Sequence, residues 1–337
     1  MTTEQEIKVS VVVTTYNQQD TIARTLDSIL RQECGFDYEI VIGEDCSTDG
    51  TLAVCREYAR RFNGKIRLIA NPRNKGLVDN YYDCLLQCRG RYIADCAGDD
   101  YWIDSRKLQK QYDVLERNPG VTLVHTDWQY VDSLTGTVSP SDPDGKKSPF
   151  RKPILHGRDI VKPLICHEAT PIVHLCTAMY RRDTFLKAYN DDRGLFRDKS
   201  YTCEDLQLIV SLAMMGDIAF LPDITLNYST GSDTVSYSVD HAKTFDFYMG
   251  AFLPTLHLAQ KAGIASDKEF IGHAKSTLQF IMAQAFNSRD LARRNRFAAF
   301  VRRTKLPRSA KTRIMLMLSS FRPLWNLCTA IRNHSSL

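Results

Sequence analysis

Residues 92–102 read Tyr92-Ile93-Ala94-Asp95-Cys96-Ala97-Gly98-Asp99-Asp100-Tyr101-Trp102. A short apolar strand over 92–96 runs into two adjacent carboxylates, Asp99 and Asp100. Open sheets bind ligands outside the C-terminal ends of their strands, so the doublet is expected on a functional rim. Two carboxylates side by side there can hold a divalent cation. Gly-Asp-Asp is also an ordinary acidic turn, and this stretch alone does not separate the two readings.

Upstream of the doublet, strand and helix alternate. Residues 9–14 (VSVVVT) form a nearly continuous apolar run, as a strand buried on both faces does. Ile22, Leu26, Ile29 and Leu30 predict a helix over about 18–32. A second strand follows at 38–43, then a helix capped by Ser47 or Thr48 and running to about 62. A third strand at 66–70 and a helix at 77–88 lead into the quoted stretch. Downstream, a helix opens at Asp104 or Ser105 and stops at Pro119-Gly120, and a strand covers 121–125. Such alternation predicts an α/β open sheet flanked by helices, with parallel strands and right-handed crossovers. From about 132 to 163, Pro140, Pro143, Pro149, Pro153 and Pro163 mark a loop-rich excursion of the kind that serves as a lid or binding loop. A strand at 173–181, helices at 183–189 and 204–215 (ended by Gly216) and a strand at 218–221 come next. Beyond about 240 the pattern is helical, with Phe270, Ala274, Leu278, Ile281 and Ala285 on one stripe.

Of the 337 residues, 43% are hydrophobic and 25% charged, which suits one large or two smaller soluble domains. The net charge of +5 is unevenly spread. Residues 287–337 carry twelve Arg/Lys against one acid, Asp290, a net +11 that leaves the other 286 residues at −6. Ten cysteines are scattered without a Cys-x-x-Cys pair, which excludes a zinc ribbon or dithiol motif. Cys84 and Cys88 read as buried small apolar groups. The polar start of the chain lacks the apolar stretch of a secretory leader. No apolar run reaches the ~18 residues that span a bilayer, and reducing cytosol is the expected compartment.

Four segments fall at element edges: Thr14-Thr15-Tyr16-Asn17, Glu44-Asp45-Cys46-Ser47-Thr48-Asp49-Gly50-Thr51, Gly98-Asp99-Asp100-Tyr101-Trp102 and Thr202-Cys203-Glu204-Asp205. No Gly-x-Gly-x-x-Gly follows the first strand, which argues against a dinucleotide-dependent oxidoreductase. In this order the set resembles the family 2 glycosyltransferases, inverting enzymes of the GT-A fold that use nucleotide-diphosphate sugars. The likeness covers about residues 7–240. It implies a catalytic domain over 1–240, with a nucleotide-binding half at about 7–130 and an acceptor half at about 131–240. Residues 241–337 form a basic, helical C-terminal extension.

The resemblance also implies roles. Thr14 and Tyr16 match the nucleotide-binding strand end, where the tyrosine packs on the base. Asp45 matches the acceptor of the uracil N3–H, Asp99 the acid near ribose and diphosphate, and Asp100 the ligand of Mg²⁺ or Mn²⁺. Asp205 matches the general base, with Glu204 beside it and Trp102 bordering the acceptor side. One departure stands out: Ala97 occupies a position where many members carry a further acid, so which carboxylate meets the ribose is open.

The chemistry suits these residue types. An acceptor hydroxyl loses its proton only at high pH, so a base must take it as the bond forms, worth about 10²–10⁴-fold. The departing nucleoside diphosphate develops charge that a divalent cation can stabilise as a Lewis acid. With base and leaving group on opposite faces of the sugar, one displacement inverts the anomeric carbon, and no carboxylate nucleophile is needed. Plainer roles exist for the same residues: Tyr16 packing on a loop, Asp45 and Asp49 capping a turn or helix, Asp205 favoured by a helix N-terminus. A non-catalytic nucleotide-sugar-binding or scaffold protein would carry much of the same pocket.

His125, His167, Glu168 and His174 match no zinc spacing and read as packed or surface residues. Arg73 and Lys75 either reach a diphosphate or stay solvated. In the basic extension, Ile314, Leu318, Phe321, Trp325 and Cys328 can share one helical face among many arginines. That pattern predicts contact with an anionic membrane surface, the alternative being a helix folded back on the catalytic domain. No nucleic-acid-binding signature accompanies the charge, so no nucleic-acid partner is expected. The expected enzyme is cytoplasmic, peripheral on the inner face of a bacterial plasma membrane. It would pass a sugar from a UDP-linked donor to a glycan or lipid-linked acceptor.

Overall fold

The computed structural model describes residues 6–142, 150–167, 173–231 and 240–326. Pro143, Pro149, Glu168 and Cys328 lie outside the described residues. The chain divides into two compact units, one of residues 1–199 with 203–232 and one of 200–202 with 233–337.

In the first unit, β1 (Val9–Thr15), α1 (Ile22–Leu30), β2 (Tyr38–Glu44), α2 (Thr51–Arg61), β3 (Ile66–Ala70), α3 (Leu77–Gln87) and β4 (Tyr92–Asp95) alternate as expected. The strands lie parallel in the order β3-β2-β1-β4. All seven residues of β2 are buried, as are Val9, Val11, Val12 and Val13 of β1, which is why both read as apolar runs. α1 starts at Ile22, later than its periodicity suggested. The Gln18 and Gln19 N–H groups instead donate across to Thr51 Oγ1 (2.8 Å) and Asp49 Oδ2 (3.2 Å). The expected Ser47 or Thr48 cap is corrected for the same reason. Ser47 Oγ accepts from the Asn17 N–H, the Thr48 N–H donates to Asn17 Oδ1, and Asp49 Oδ1 accepts from the first N–H of α2.

After β4 come β5 (Tyr101–Trp102), α4 (Lys107–Arg117), β6 (Val121–Asp132), β7 (Val138–Pro140), β8 (Ile154–Leu155) and α5 (Gly157–Cys166). A 3₁₀ turn at Leu175–Thr177, β9 (Met179–Arg181), α6 (Arg182–Asp191), α7 (Arg193–Arg197), α8 (Asp205–Met215) and β10 (Asp217–Thr230) complete the unit. The sheet is mixed rather than parallel, in the order β3-β2-β1-β4-β9-β6-β10-β5 with β7 on β6 and β8 on β10. β9 stands antiparallel between β4 and β6. Strand direction depends on the side from which the chain arrives, which a strand's own residues do not encode. β6 and β10 run to 12 and 14 residues, far beyond the short strands expected. Their polar outer halves pair with each other from Ile224–Asp127 to Thr230–Asp132, so ladder bonds extend where the apolar signal ends.

Two further corrections fall in the excursion. The strand expected over 173–181 shrinks to β9, because His174 Nδ1 accepts from the Cys176 N–H and Thr177 Oγ1 donates back to the His174 carbonyl, closing a turn. The loop expected around Pro163 holds α5. This helix survives an internal proline, a loss of about 3 kcal/mol, by burying Ile160, Val161, Leu164 and Ile165. α5 packs on α8 through Gly157, where an added Cβ would sit 1.9 Å from the Ala213 carbonyl oxygen.

The second unit holds α9 (His241–Lys261), α10 (Lys268–Asn287), α11 (Leu291–Thr304) and α12 (Ala310–Leu318). The Phe270, Ala274, Leu278, Ile281 and Ala285 stripe forms its buried spine. Asp240, Asp290 and Ser309 cap three of its helices with side-chain oxygens.

The 1.9 Å approach at Gly157 yields a test. Gly157→Ala must push α5 off α8 and should destabilise the protein by roughly 1–3 kcal/mol, read as a lowered denaturation midpoint at unchanged slope.

Candidate active site

The last residues of β1 hold the rim together. The Thr15 carbonyl accepts from the Asp45 N–H (3.0 Å) and the Thr14 carbonyl from the Gly98 N–H (3.1 Å). Both acidic loops are thereby fixed on either side of the first strand. Tyr16, the next residue, is 45% exposed. Gly98 has no substitute here: a Cβ would lie 2.4 Å from Gln18 Oε1 and 2.9 Å from Thr15 Oγ1.

Asp45 is buried and accepts from Asn71 Nδ2 (3.0 Å) and the N–H groups of Lys75 and Gly76 (2.9 Å each). It organises the 71–76 turn and does not cap α2. A carboxylate offers about four acceptor positions, so three donors leave one free. In the same turn, Lys75 Nζ pairs with Asp83 (2.9 Å), while Arg73 is solvent exposed.

The doublet itself is held by residues that sequence reading passed over. Asp100 is 1% exposed, and its Oδ1 accepts from the Ser229 N–H (2.9 Å). Ser229 Oγ donates to the Asp99 carbonyl (2.6 Å), which Arg24 Nη2 also reaches (3.0 Å) while its guanidinium lies 4.1 Å over the Tyr101 ring. Asp100 Oδ2 is buried with no hydrogen-bond partner. Burial, then the Asp99 charge, holds the Asp100 carboxyl well above the usual range, and burial raises Asp99 too. Two carboxylates short of positive charge, one oxygen without a donor, fit a divalent cation. No group of three His, Cys, Asp or Glu converges among the described residues, so most of its shell would come from phosphate oxygens and water.

Trp102 requires a correction. It is 2% exposed, its indole N–H donates to the Cys176 carbonyl (3.1 Å) and Lys107 Nζ lies 4.4 Å over its ring. A side chain packed into the core borders no acceptor cleft. Tyr101, half-buried beneath Arg24, is the accessible aromatic of that pair.

Glu204 and Asp205 open α8. Asp205 Oδ1 accepts from the Leu206 N–H (2.7 Å). The Glu204 carbonyl accepts from Tyr82 OH (2.6 Å), and the adjacent Tyr81 OH donates to Asp95 Oδ1 (3.0 Å). α3 thus ties the Glu204–Asp205 turn to the strand that carries the doublet. Burial, then the neighbouring Asp205 charge, holds the Glu204 carboxyl above the normal range. Asp95 itself was missed, although an acid inside a buried strand was a readable signal. Its neighbours Tyr81 and Tyr180 donate to it, yet burial pushes its carboxyl up to about 7.

The histidines are packed or surface groups. His125 Nε2 contacts the Phe150 carbonyl (3.1 Å), and His174 lies against the Trp128 and Tyr228 rings. Burial lowers both to about 4. His167 is exposed at the end of α5. The nine described cysteines are free, with Cys84 and Cys88 buried.

Residues 10–187 match the profile of the family described as Glycosyl transferase family 2, more than half of the chain. The chain belongs to that family. Among relatives of this family 2 member, the uncharacterised protein Rv1520 of Mycobacterium tuberculosis is 32% identical over 219 residues, 65% of this chain and 58% of that protein. The match therefore spans under two thirds of that relative. A UDP-Glc:alpha-D-GlcNAc-diphosphoundecaprenol beta-1,3-glucosyltransferase of Escherichia coli, WfgD, is 26% identical over 125 residues, 37% of this chain and 47% of the enzyme. Among solved structures, S. aureus TarS 1–349 in complex with UDP superposes with a TM-score of 0.52 at 19% identity, covering 87% of this chain and 75% of that one. At that identity the likeness speaks for the fold.

Asp95 gives a pH signature. Its folded-state carboxyl near 7 lies above the ordinary value of 3.8, so the folded state holds the proton more tightly and stability falls as pH rises from about 4 to 7. Asp95→Asn keeps the Tyr81 contact and removes the titration. Denaturant melts should therefore show the variant gaining on the parent across that window, by on the order of 1–3 kcal/mol.

Proposed function

We propose that this family 2 glycosyltransferase moves a sugar from a UDP-linked donor to a hydroxyl of a glycan or lipid-linked acceptor, with inversion at the anomeric carbon. The observation that carries the reading is the rim built by Thr14 and Thr15. Supporting the reading are the exposed ring of Tyr16, the Asp45 carboxylate with one acceptor position left and the Asp99–Asp100 doublet with its unpartnered Asp100 Oδ2, on neighbouring loops. UDP in TarS and a UDP-glucose donor in the name of WfgD support the choice of nucleotide.

In this reading Tyr16 stacks on the base, Asp45 accepts its imide N–H and Thr14 lines the strand end. Asp99 and Asp100 would hold Mg²⁺ or Mn²⁺, which supplies Lewis-acid stabilisation of the diphosphate. Ser229 and Arg24 hold the doublet's backbone, the preorganisation that a cation bound by Asp99 and Asp100 would need. Across the sugar, Asp205 takes the acceptor proton. Its Oδ1 is engaged by the Leu206 N–H, which leaves Oδ2 for that step. Glu204 lies beside it, its carboxyl held above the normal range by burial and then by the Asp205 charge. One base opposite one leaving group requires a single displacement. The acceptor is placed at the cytoplasmic face of a membrane, to which the basic C-terminal unit brings the enzyme.

Asp205→Asn should fold with an unchanged melting temperature and lose about 10²–10⁴-fold in transfer rate; an unimpaired rate removes Asp205 from the mechanism. A thermal-shift panel of UDP-, GDP- and dTDP-sugars with and without Mn²⁺ should show stabilisation by the UDP compounds, enlarged by the metal and lost in Asp100→Asn. Equal shifts for all three nucleotides would remove uracil recognition by Asp45.

A further inference from the structure

The basic residues of the second unit divide into two sets. Arg293 and Arg296 both hold Asp246, at 2.5 and 2.9 Å, and Arg294 donates to the Leu316 carbonyl (3.0 Å), tying α11 to α9 and α12. Arg302, Arg303, Lys305, Lys311, Arg313 and Arg322 are exposed instead. No carboxylate pairs with them among the described residues, and residues 291–326 contain no acid at all.

Close in sequence to Lys311, Arg313 and Arg322 comes an apolar row. Ile314 (52% exposed) and Met317 (67%) lie three residues apart on α12, and Phe321 (58%) and Leu324 (44%) follow in the bend and the short helical segment just past its end. This row differs from the face expected from sequence. Trp325 points inward, 2% exposed, with its indole N–H on the Phe286 carbonyl (2.8 Å) and its ring 5.9 Å from Phe286. The tryptophan anchors the unit, and Met317 and Phe321 form the outward edge.

We infer that the exposed Ile314, Met317, Phe321 and Leu324, interleaved in sequence with the exposed cations Lys311, Arg313 and Arg322, form a docking surface for an anionic lipid bilayer. Water charges for four large exposed apolar groups, and the interface between headgroups and acyl chains relieves that exposure. The flanking cations meet anionic headgroups at the same depth, the charge complementarity that an acid-free surface supplies. No helix of the described residues is long and apolar enough to cross a membrane, so the contact is interfacial. A lipid-linked acceptor would be met at this surface. In purpose the inference rests on the transferase reading, although its test needs neither donor nor turnover.

The experiment is co-sedimentation of the full chain with vesicles of phosphatidylcholine alone or with about one third phosphatidylglycerol, at low and high salt. The parent should bind only the anionic vesicles, and salt should weaken binding. Met317→Asp with Phe321→Asp should lower partitioning about ten-fold or more. Lys311→Glu, Arg313→Glu and Arg322→Glu together should lower it about 100-fold, and Trp325→Phe should leave it unchanged. The surface residues are exposed, so unchanged melting temperatures separate lost docking from lost folding. Absence of parent binding to anionic vesicles, or binding indifferent to both sets of substitutions, overturns the inference. So does a parent dimer that the Asp pair converts to monomer without changing vesicle binding, since a second copy would then own the face. Vesicle binding by a chain that shows no shift with UDP-sugars still supports the surface and removes only the donor reading.

Discussion

Two backbone carbonyls at the end of β1 govern this site. Thr14 receives the N–H of Gly98 and Thr15 the N–H of Asp45, so loops from β2 and β4 are held against one strand end. Backbone bonds of this kind are indifferent to the side chains they carry. They bring Tyr16, Asp45, Asp99 and Asp100 to one end of the sheet, Tyr16 exposed and Asp45 and Asp100 buried. The arrangement depends on β1 being buried on both faces, because a strand with no freedom to slip fixes the register of its neighbours.

The site gathers carboxylates in buried or half-buried places. Asp95, Asp99, Asp100 and Glu204 are all raised by burial before any other cause. Such groups are costly unless a partner arrives, and at Asp100 one oxygen has none in the protein. Tyr81 and Tyr82, adjacent on α3, meet two of these regions at once, through Asp95 and through the Glu204 carbonyl. α3 is therefore the strut between the strand bearing the doublet and the helix bearing Asp205.

The first four strands and three helices were legible because burial on both faces writes itself as apolar runs and heptad-like spacing. α5 was not, since Pro163 and the other prolines of the excursion read as loop while burial against α8 decided otherwise. Trp102 misled for a related reason: its place beside the doublet in sequence says nothing of the direction its ring takes, and the Cys176 carbonyl draws the indole inward. Arg24 and Ser229 were invisible, being an ordinary exposed helix residue and an ordinary strand serine until the fold brings both to the Asp99 carbonyl.

By itself the sequence determined the alternating α/β plan, the four loop segments bearing Tyr16, Asp45, Asp99–Asp100 and Glu204–Asp205, and the basic C-terminal unit. Those properties are local: periodicity, charge and the chemistry of residues a few positions apart. The tertiary structure alone decided the antiparallel insertion of β9, the inward turn of Trp102 and Trp325, and the clamp of Ser229 on the doublet. Each of these is a contact between residues far apart in the chain. Its sign is set by competition among many partners for the same buried space and the same few hydrogen-bonding groups.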